Sequence, residues 1–299
     1  MVCSTKSALV FLLVLSVIGI GAFIYGSVFE DWLNNGNDED DNNINSPVAS
    51  PISQNGNNGD GDGEYQFIQC DVGSVNTSQC CNGLNNVCNK RVNEIMFAAT
   101  HNSMSTMQDQ FSAPNHFRRM EESLEAGYRA FLLDVHEFGD SVSFCHGSCA
   151  FGRKAPEEVF ESAVKFLDEN PSEVVIFEFQ MDSDSVQLLD NLYSVMEQTN
   201  GFLDKVYVND NALEFPVMGD LVVDNKRILL FQHDGPNCNN EGSCPSGIMS
   251  TYNHMFETTF DLDTVDDLKD YDTSCAITRG KFEYTSNIYS IFKVKFVSL

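Results

Sequence analysis

From Glu94 to Phe231 the chain alternates short, largely apolar runs with amphipathic helical stretches, and this pattern constrains the fold most. The runs are EIMFAAT (Glu94–Thr100), RAFLLDV (Arg129–Val135), SVSFCH (Ser141–His146), VVIFEF (Val174–Phe179) and RILLF (Arg227–Phe231). Each has strand length, and the continuously apolar ones read as strands buried on both faces. A helix carrying Phe117, Met120 and Leu124 on one face follows the first run and stops at Gly127. A second opens at Pro156 with Glu157 and Glu158 in its first turn, where acidic side chains suit the helix dipole. Its apolar face is Val159, Phe160, Ala163, Phe166 and Leu167, and Asn170-Pro171 ends it. A third, from about Ser183, is expected to bury Val186, Leu189, Tyr193 and Met196. Such alternation predicts an α/β fold, a parallel sheet covered by helices. Periodicity alone does not separate a closed barrel from an open sheet.

Ahead of this region the chain reads differently. The uncharged run Ala8–Val28 matches the ~20 residues of a membrane-spanning helix and exceeds an ordinary signal-peptide core. Lys6 precedes it and Glu30 and Asp31 follow, so a retained anchor would place the N-terminus in the cytoplasm. A cleaved signal, with Gly19 and Gly21 near the cut, is the rival. Residues 1–29 are therefore a signal anchor or signal peptide, and both readings export the rest. The expected product is a single-pass membrane protein with a lumenal or extracellular domain, or a secreted one.

Residues 30–66 are rich in Asn, Gly, Asp, Ser and Pro and read as a solvated acidic linker. Its DGDGE run lacks the rest of an EF-hand loop. Residues 67–92 form a Cys-rich lead-in with Cys70, Cys80, Cys81 and Cys88, and Asn76-Thr77-Ser78 is a glycosylation sequon on Asn76. In an exported chain this density suggests disulfides; the spacing is not two CxxC pairs, and no His lies among them. Further on, Cys145 and Cys149 flank His146, and Cys238 and Cys244 bracket the loop NCNNEGSC. Each pair is expected to be a local staple, and Cys3 to be unpaired. The whole chain has 17 basic and 44 acidic residues, a net charge of −27 that excludes nucleic acid as a partner.

Polar residues gather where the apolar runs end. The first runs into Thr100-His101-Asn102-Ser103, the second ends in Asp134-Val135-His136, the third in Cys145-His146-Gly147, and the fourth carries Glu178. In a parallel α/β barrel the site is built at that end of the strands. Any one of these histidines would be unremarkable on a surface or in a core; four polar strand ends together point to a site.

Two stretches carry a specific likeness. CNGLNNVCNKRVNEIMFAATHNSMS (Cys81–Ser105) resembles the opening of the phosphatidylinositol-specific phospholipase C X-domain phosphodiesterases. There the first barrel strand ends in His-Asn or His-Asp, a second in Asp and a third in another His. GYRAFLLDVHEFGDSVSFCHGSC (Gly127–Cys149) is similar to the latter two. The resemblance spans about Cys80 to Glu178 and implies a TIM-type (β/α) barrel over residues 93–299.

It also implies a phosphoric diester hydrolase or lyase acting on a phospholipid or related phosphodiester at a membrane. His101 would be the general base and His146 the general acid, with Asp134 at the catalytic centre. Histidine suits either task near neutral pH. The charge growing on the phosphoryl oxygens calls for a cation. In this family that is calcium in the eukaryotic signalling enzymes and an arginine in the secreted bacterial ones. Here His136 stands where the arginine would fall. Asn102, Asp134 and Glu178 match three of four calcium ligands, and the fourth position is Leu132. The expectation is a weak calcium or magnesium site, against a metal-free alternative in which Asp134 and Glu178 orient the histidines. His136, Arg153 and Lys154 are candidate substrate contacts.

Two other readings remain. A glycerophosphodiesterase-like barrel would place His-Arg-Gly and Glu-x-Asp where this chain has His-Asn-Ser and Leu-x-Asp. A surface binding barrel that has lost catalysis fits the missing arginine and the missing fourth acid, though His101 and His146 both persist. The stretch SCAITRGK (Ser274–Lys281) resembles a late loop of the family, and FEYTSNIYSIFKVKFVSL follows it. The expectation is a barrel short of one or two elements.

Overall fold

The computed structural model describes residues 80–209, 214–237, 244–258, 264–274, 276–280 and 291–293. The apolar run Ala8–Val28, the acidic linker, Asn76 and Cys238 lie outside the described residues.

In chain order, β1 (Cys80–Cys81) and β2 (Leu84–Asn85) form a small antiparallel hairpin, and β3 is Ala99–Thr100. Then come α1 (Met120–Glu125), β4 (Ala130–Phe138), β5 (Ser141–Phe144), α2 (Pro156–Glu169), β6 (Val175–Met181) and α3 (Val186–Gln198). Next are α4 (Met218–Val223), β7 (Ile228–His233), β8 (Ile248–Ser250), α5 (Thr251–His254) and β9 (Met255–Thr258). Last are α6 (Val265–Lys269), α7 (Tyr271–Ser274), β10 (Ile277–Gly280) and β11 (Ile291–Lys293).

The principal sheet has the order β3-β4-β6-β7-β8, every adjacent pair parallel. Neighbours in sequence are neighbours in space, so the strands wind in one direction instead of reversing as in a doubly wound sheet. Among the described residues the sheet does not close: β9 pairs with β10 and β11 in a separate sheet. Between β4 and β6 lies a departure from the expected alternation. β5 runs antiparallel to β4, returned by the two-residue connection Gly139–Asp140, so SVSFCH is the second arm of a hairpin.

Two apolar clusters lie on the two faces of the sheet. Phe131, Leu133, Val135, Phe177, Phe179, Ile228 and Leu230 pack with α2 and α3, whose Phe160, Leu167, Leu188 and Leu192 are buried. Phe160 is the hub: its ring meets Phe202 at 4.5 Å and Phe144 edge-on at 6.0 Å. The alternate residues Ala130, Ile176, Leu229 and Phe231 face the other way, clustered with Cys81, Val92 and Met218. The Cys-rich lead-in and α4 thus help to cover the inner face; Met218 N–H donates to Lys90 O and Gly219 N–H to Cys88 O.

Several expectations shift. EIMFAAT contributes only Ala99–Thr100 to the sheet; its first residue, Glu94, closes the 3-10 turn Val92–Glu94. Phe117 is exposed, and so is Val186; α3 buries Leu189 and Met196 as expected, Leu188 and Leu192 besides, and Tyr193 is half-buried. Ser185 caps α3, its hydroxyl accepting from Leu188 N–H at 3.2 Å. Among the described residues no helix is long and apolar enough to cross a membrane.

Candidate active site

The site begins with a turn. After β3 the chain passes through His101 into Asn102, which is buried and left-handed at φ 50°. Asparagine tolerates this conformation better than most residues, and strain of this kind collects at functional sites. Ser103 N–H bonds to Leu132 O at 2.8 Å, and the Thr100 and Ser103 hydroxyls lie 2.7 Å apart. The turn is thereby clamped to β4, which carries Asp134.

Asn102 sits between an acid and an imidazole. With the amide turned so that both its ends are satisfied, its nitrogen faces both oxygens of Asp134, at 3.0 and 3.1 Å, and its oxygen accepts from Nε2 of His146 at 3.0 Å. His146 reaches this point through the hairpin: Cys145 N–H bonds to Asp134 O at 3.1 Å. The Cys145–Cys149 disulfide closes the loop around His146.

The other side of the His146 ring meets the segment that follows His101. Nδ1 lies 3.2 Å from Ala113 O and 3.4 Å from Ser105 Oγ. The Ser105 hydroxyl itself donates to Ala113 O at 3.2 Å, so towards His146 it presents an acceptor. Both ring nitrogens therefore face oxygen atoms that can accept. His116 Nε2 donates to the carbonyl of His101 at 2.7 Å and ties down the far end of the same segment. His101, Asn102, Asp134 and His146 are thus bound into one unit, through backbone and side chain together.

The remaining candidates separate. His136 follows Asp134 on the same face of β4, its Nδ1 3.2 Å from Asp182 Oδ2. Arg153 stacks over the exposed Phe138 ring at 4.1 Å. Lys154 is buried, and its Nζ is held by Asp109 at 3.0 Å and Glu158 at 2.8 Å. Burial works against its charge, but Glu158 and Asp109 lift it above the usual lysine range. A phosphate at Lys154 would have to displace both carboxylates, so the residue anchors the segment and is not an open substrate contact. Cys244 is disulfide-bonded. Cys81 pairs with Cys88 in the lead-in.

Of the three expected metal ligands, Asn102 and Asp134 lie side by side and Glu178 stands apart from them. Oxygens that hold a hard cation must converge on one point. Asn102 gives its nitrogen to Asp134 and its oxygen to His146. The sheet register sets Glu178 opposite Leu132 and brings Gln180 beside Asp134. Glu178 lies one pleat lower, its Oε1 3.0 Å from Nδ1 of His233. Among the described residues no group of three or more His, Cys, Asp or Glu is arranged to hold a metal ion.

His233, Gln180, His116 and Ser105 escaped the sequence reading. Extending RILLF by two residues along its own alternation places His233 on the face of Leu229 and Phe231. The other three depend on register and loop path, which leave no local signal.

The family described as PI-PLC X 1 matches residues 87–293, and the chain belongs to it. A curated relative, PI-PLC X domain-containing protein 1 of Arthroderma benhamiae, is 26% identical over 201 residues, covering 63% of this chain. The match spans 62% of that relative's own length. Among solved structures, a phosphatidylinositol-specific phospholipase C from Listeria monocytogenes is 18% identical with a TM-score of 0.48. That match covers 62% of this chain and 67% of the other. A phosphatidylinositol-specific phospholipase C from Staphylococcus aureus is 16% identical with a TM-score of 0.40, covering 57% of each chain.

Proposed function

We propose that this chain is a phosphodiesterase with a TIM-type barrel, cleaving a phospholipid-type or related phosphodiester at a membrane on the exported side. The observation that carries the reading is His146 with acceptors at both ring nitrogens, Asn102 O on one side and Ala113 O on the other. A ring so placed is a loaded general acid.

His101 takes the proton from the attacking oxygen, a neighbouring hydroxyl or water. That oxygen forms its bond to phosphorus as the bond to the leaving oxygen breaks, and His146 delivers its proton to the departing group. Asp134 acts through Asn102, holding the amide so that its oxygen faces His146. His136, oriented by Asp182, meets the phosphoryl oxygens. No step is routed through a bound cation.

Turnover of a chromogenic phosphodiester by the full chain tests this reading. The expected result is activity that His101→Ala and His146→Ala each reduce by roughly 10² or more. A folded wild-type protein that binds the diester without cleaving it would instead be a binding barrel of the same family.

A further inference from the structure

His146 leans on a loop that runs from Ser105 to His116 and closes on itself. Asn115 N–H and His116 N–H both bond to Ser105 O, at 2.8 and 3.1 Å, and Met107 N–H bonds to His116 O at 2.8 Å. Towards its end Ala113 turns its carbonyl to Nδ1 of His146 at 3.2 Å. Three ties join this loop to the segment that follows the β4–β5 hairpin. Ser112 N–H bonds to Phe151 O at 2.7 Å. The buried Phe111 ring lies so close to Gly152 that a Cβ there would stand 2.6 Å from it. The third tie is ionic: Asp109 Oδ1 meets Lys154 Nζ at 3.0 Å, with both side chains 10% exposed. Lys154 in turn pairs with Phe144 through backbone hydrogen bonds of 2.9 and 3.0 Å, two residues before His146.

Stability alone does not account for the ion pair. Desolvating a carboxylate and an ammonium offsets most of their attraction, and an apolar pair of similar volume is commonly as stable. A charged hydrogen bond does fix distance and direction. The Asp109 carboxylate is held from several sides, accepting from Thr106 Oγ1 at 2.7 Å and pairing with Arg119 Nε at 3.1 Å. Lys154 is held as well, its Nζ 2.8 Å from Glu158 in the first turn of α2. The pair thus sets how far the loop stands from the arm that carries His146. Ala113 O and His146 Nδ1 belong to those same two stretches of chain, so the pair also governs where they meet.

We propose that Asp109 and Lys154 are positioning residues for proton donation: their ion pair holds Ala113 O against the His146 ring and so fixes the ring's orientation towards the leaving oxygen. The proposal rests on the phosphodiesterase reading above. A general acid matters most when the departing oxygen is basic. Two phosphodiesters that differ only in leaving group, an alkyl alcohol or a nitrophenol, therefore test it with the full chain. Asp109→Asn should lower kcat about tenfold for the alkyl alcohol and about threefold or less for the nitrophenol, with KM within about twofold for both. Lys154→Met should behave alike, and the double variant should lose no more than the worse single one. Loss of fold, or damage passed to the base His101, would instead fall on both leaving groups alike. Independently of turnover, the NMR ring resonances of His146, identified by their loss in His146→Ala, should move in Asp109→Asn. Those of His254, packed against Phe215 elsewhere in the fold, should stay in place. Equal losses on both leaving groups, no loss, losses that multiply in the double variant, or unmoved His146 resonances each overturn the proposal. Should Asp109→Asn not fold, Lys154→Met carries the same readings. If neither diester is cleaved by wild type, the phosphodiesterase reading fails, and the His146 resonances alone decide whether the pair positions the ring.

Discussion

Nε2 of His146 sits 3.0 Å from the carboxamide oxygen of Asn102, whose nitrogen spans both oxygens of Asp134. A carboxylate thereby orients an imidazole through an intervening amide. The arrangement makes Asn102 a positioning residue whose value lies in having a donor at one end and an acceptor at the other. Asn102→Asp would set a second carboxylate oxygen pair against that of Asp134 and lose the donor. We expect Asn102→Asp and Asn102→Leu to lower kcat by roughly 10–10² with KM nearly unchanged. Steady-state kinetics on a soluble diester measures the split; a rise in KM alone would place Asn102 in substrate binding.

Because Asn102 lies between Asp134 and His146, and Glu178 stands apart beside His233, turnover should survive a chelator. Full-chain protein assayed with and without EDTA should show the same kcat. Loss of activity that calcium restores would mean that the Asn102 amide turns over and offers its oxygen to a cation.

His254 makes stability fall on the acid side of neutrality. Its ring lies 5.8 Å from Phe215 and 6.3 Å from Phe231, and burial holds its folded pKa below the ordinary value. Above an unfolded pKa of about 6.5 the ring is neutral in both states and contributes nothing. Below it the unfolded chain binds a proton that the folded one resists, so stability falls with pH from about 6.5 down to the folded value. His254→Phe should flatten this part of the curve, visible as a smaller difference in Tm between pH 7 and pH 5. Parallel curves for wild type and variant would show that His254 does not drive it.

Phe160 joins α2 to the sheet through Phe144, Phe177, Phe179 and Phe202. Phe160→Ala should cost about 3–5 kcal/mol, the usual range for emptying a buried aromatic site. Denaturant melts would register this as a lower midpoint; a loss below about 1 kcal/mol would mean the cavity collapses.

Opening the Cys145–Cys149 bridge should impair chemistry more than folding, since it encloses only Gly147, Ser148 and the acid itself. For Cys145→Ala/Cys149→Ser we expect kcat down about tenfold and a modest fall in Tm, because so short a ring constrains little of the unfolded chain. Unaltered kcat in the folded double variant would show that Asn102 and Ala113 suffice to hold His146.

Much of this architecture is legible in the sequence because burial leaves a periodic trace. VVIFEF and the Pro156–Glu169 helix have their expected places, since continuous apolarity and a Pro-Glu-Glu start are local signals. Three features were not visible for distinct reasons. EIMFAAT looks like a strand because Ile95, Met96 and Phe97 are apolar, but Ile95 and Phe97 pack against the inner cluster from outside the sheet; only Ala99 and Thr100 pair with β4. The reversal at β5 did have a cue, the Gly139-Asp140 pair between two alternating arms, with Gly139 at φ 63°. The family likeness groups Glu178 with Asp134 as a metal ligand, but a sequence shows no register, and the parallel ladder sets Gln180 beside Asp134. On the site side, His101, Asn102, Asp134 and His146 were legible as a motif. What Asn102 does with its two ends depended on geometry.

The hairpin has a consequence for how this chain tolerates change. His146 arrives on a returning arm, so its place depends on counting residues backwards from Gly139–Asp140 against β4. Two added residues at the tip would lengthen both arms and leave the Val135–Phe144 pairing intact. A single residue inserted within Val142–Phe144 would turn the following side chains to the opposite face and carry the imidazole away from Asn102, with every reacting group still present. Length variation in this arm is thus a route by which such a chain could fall silent while its motif still reads as complete.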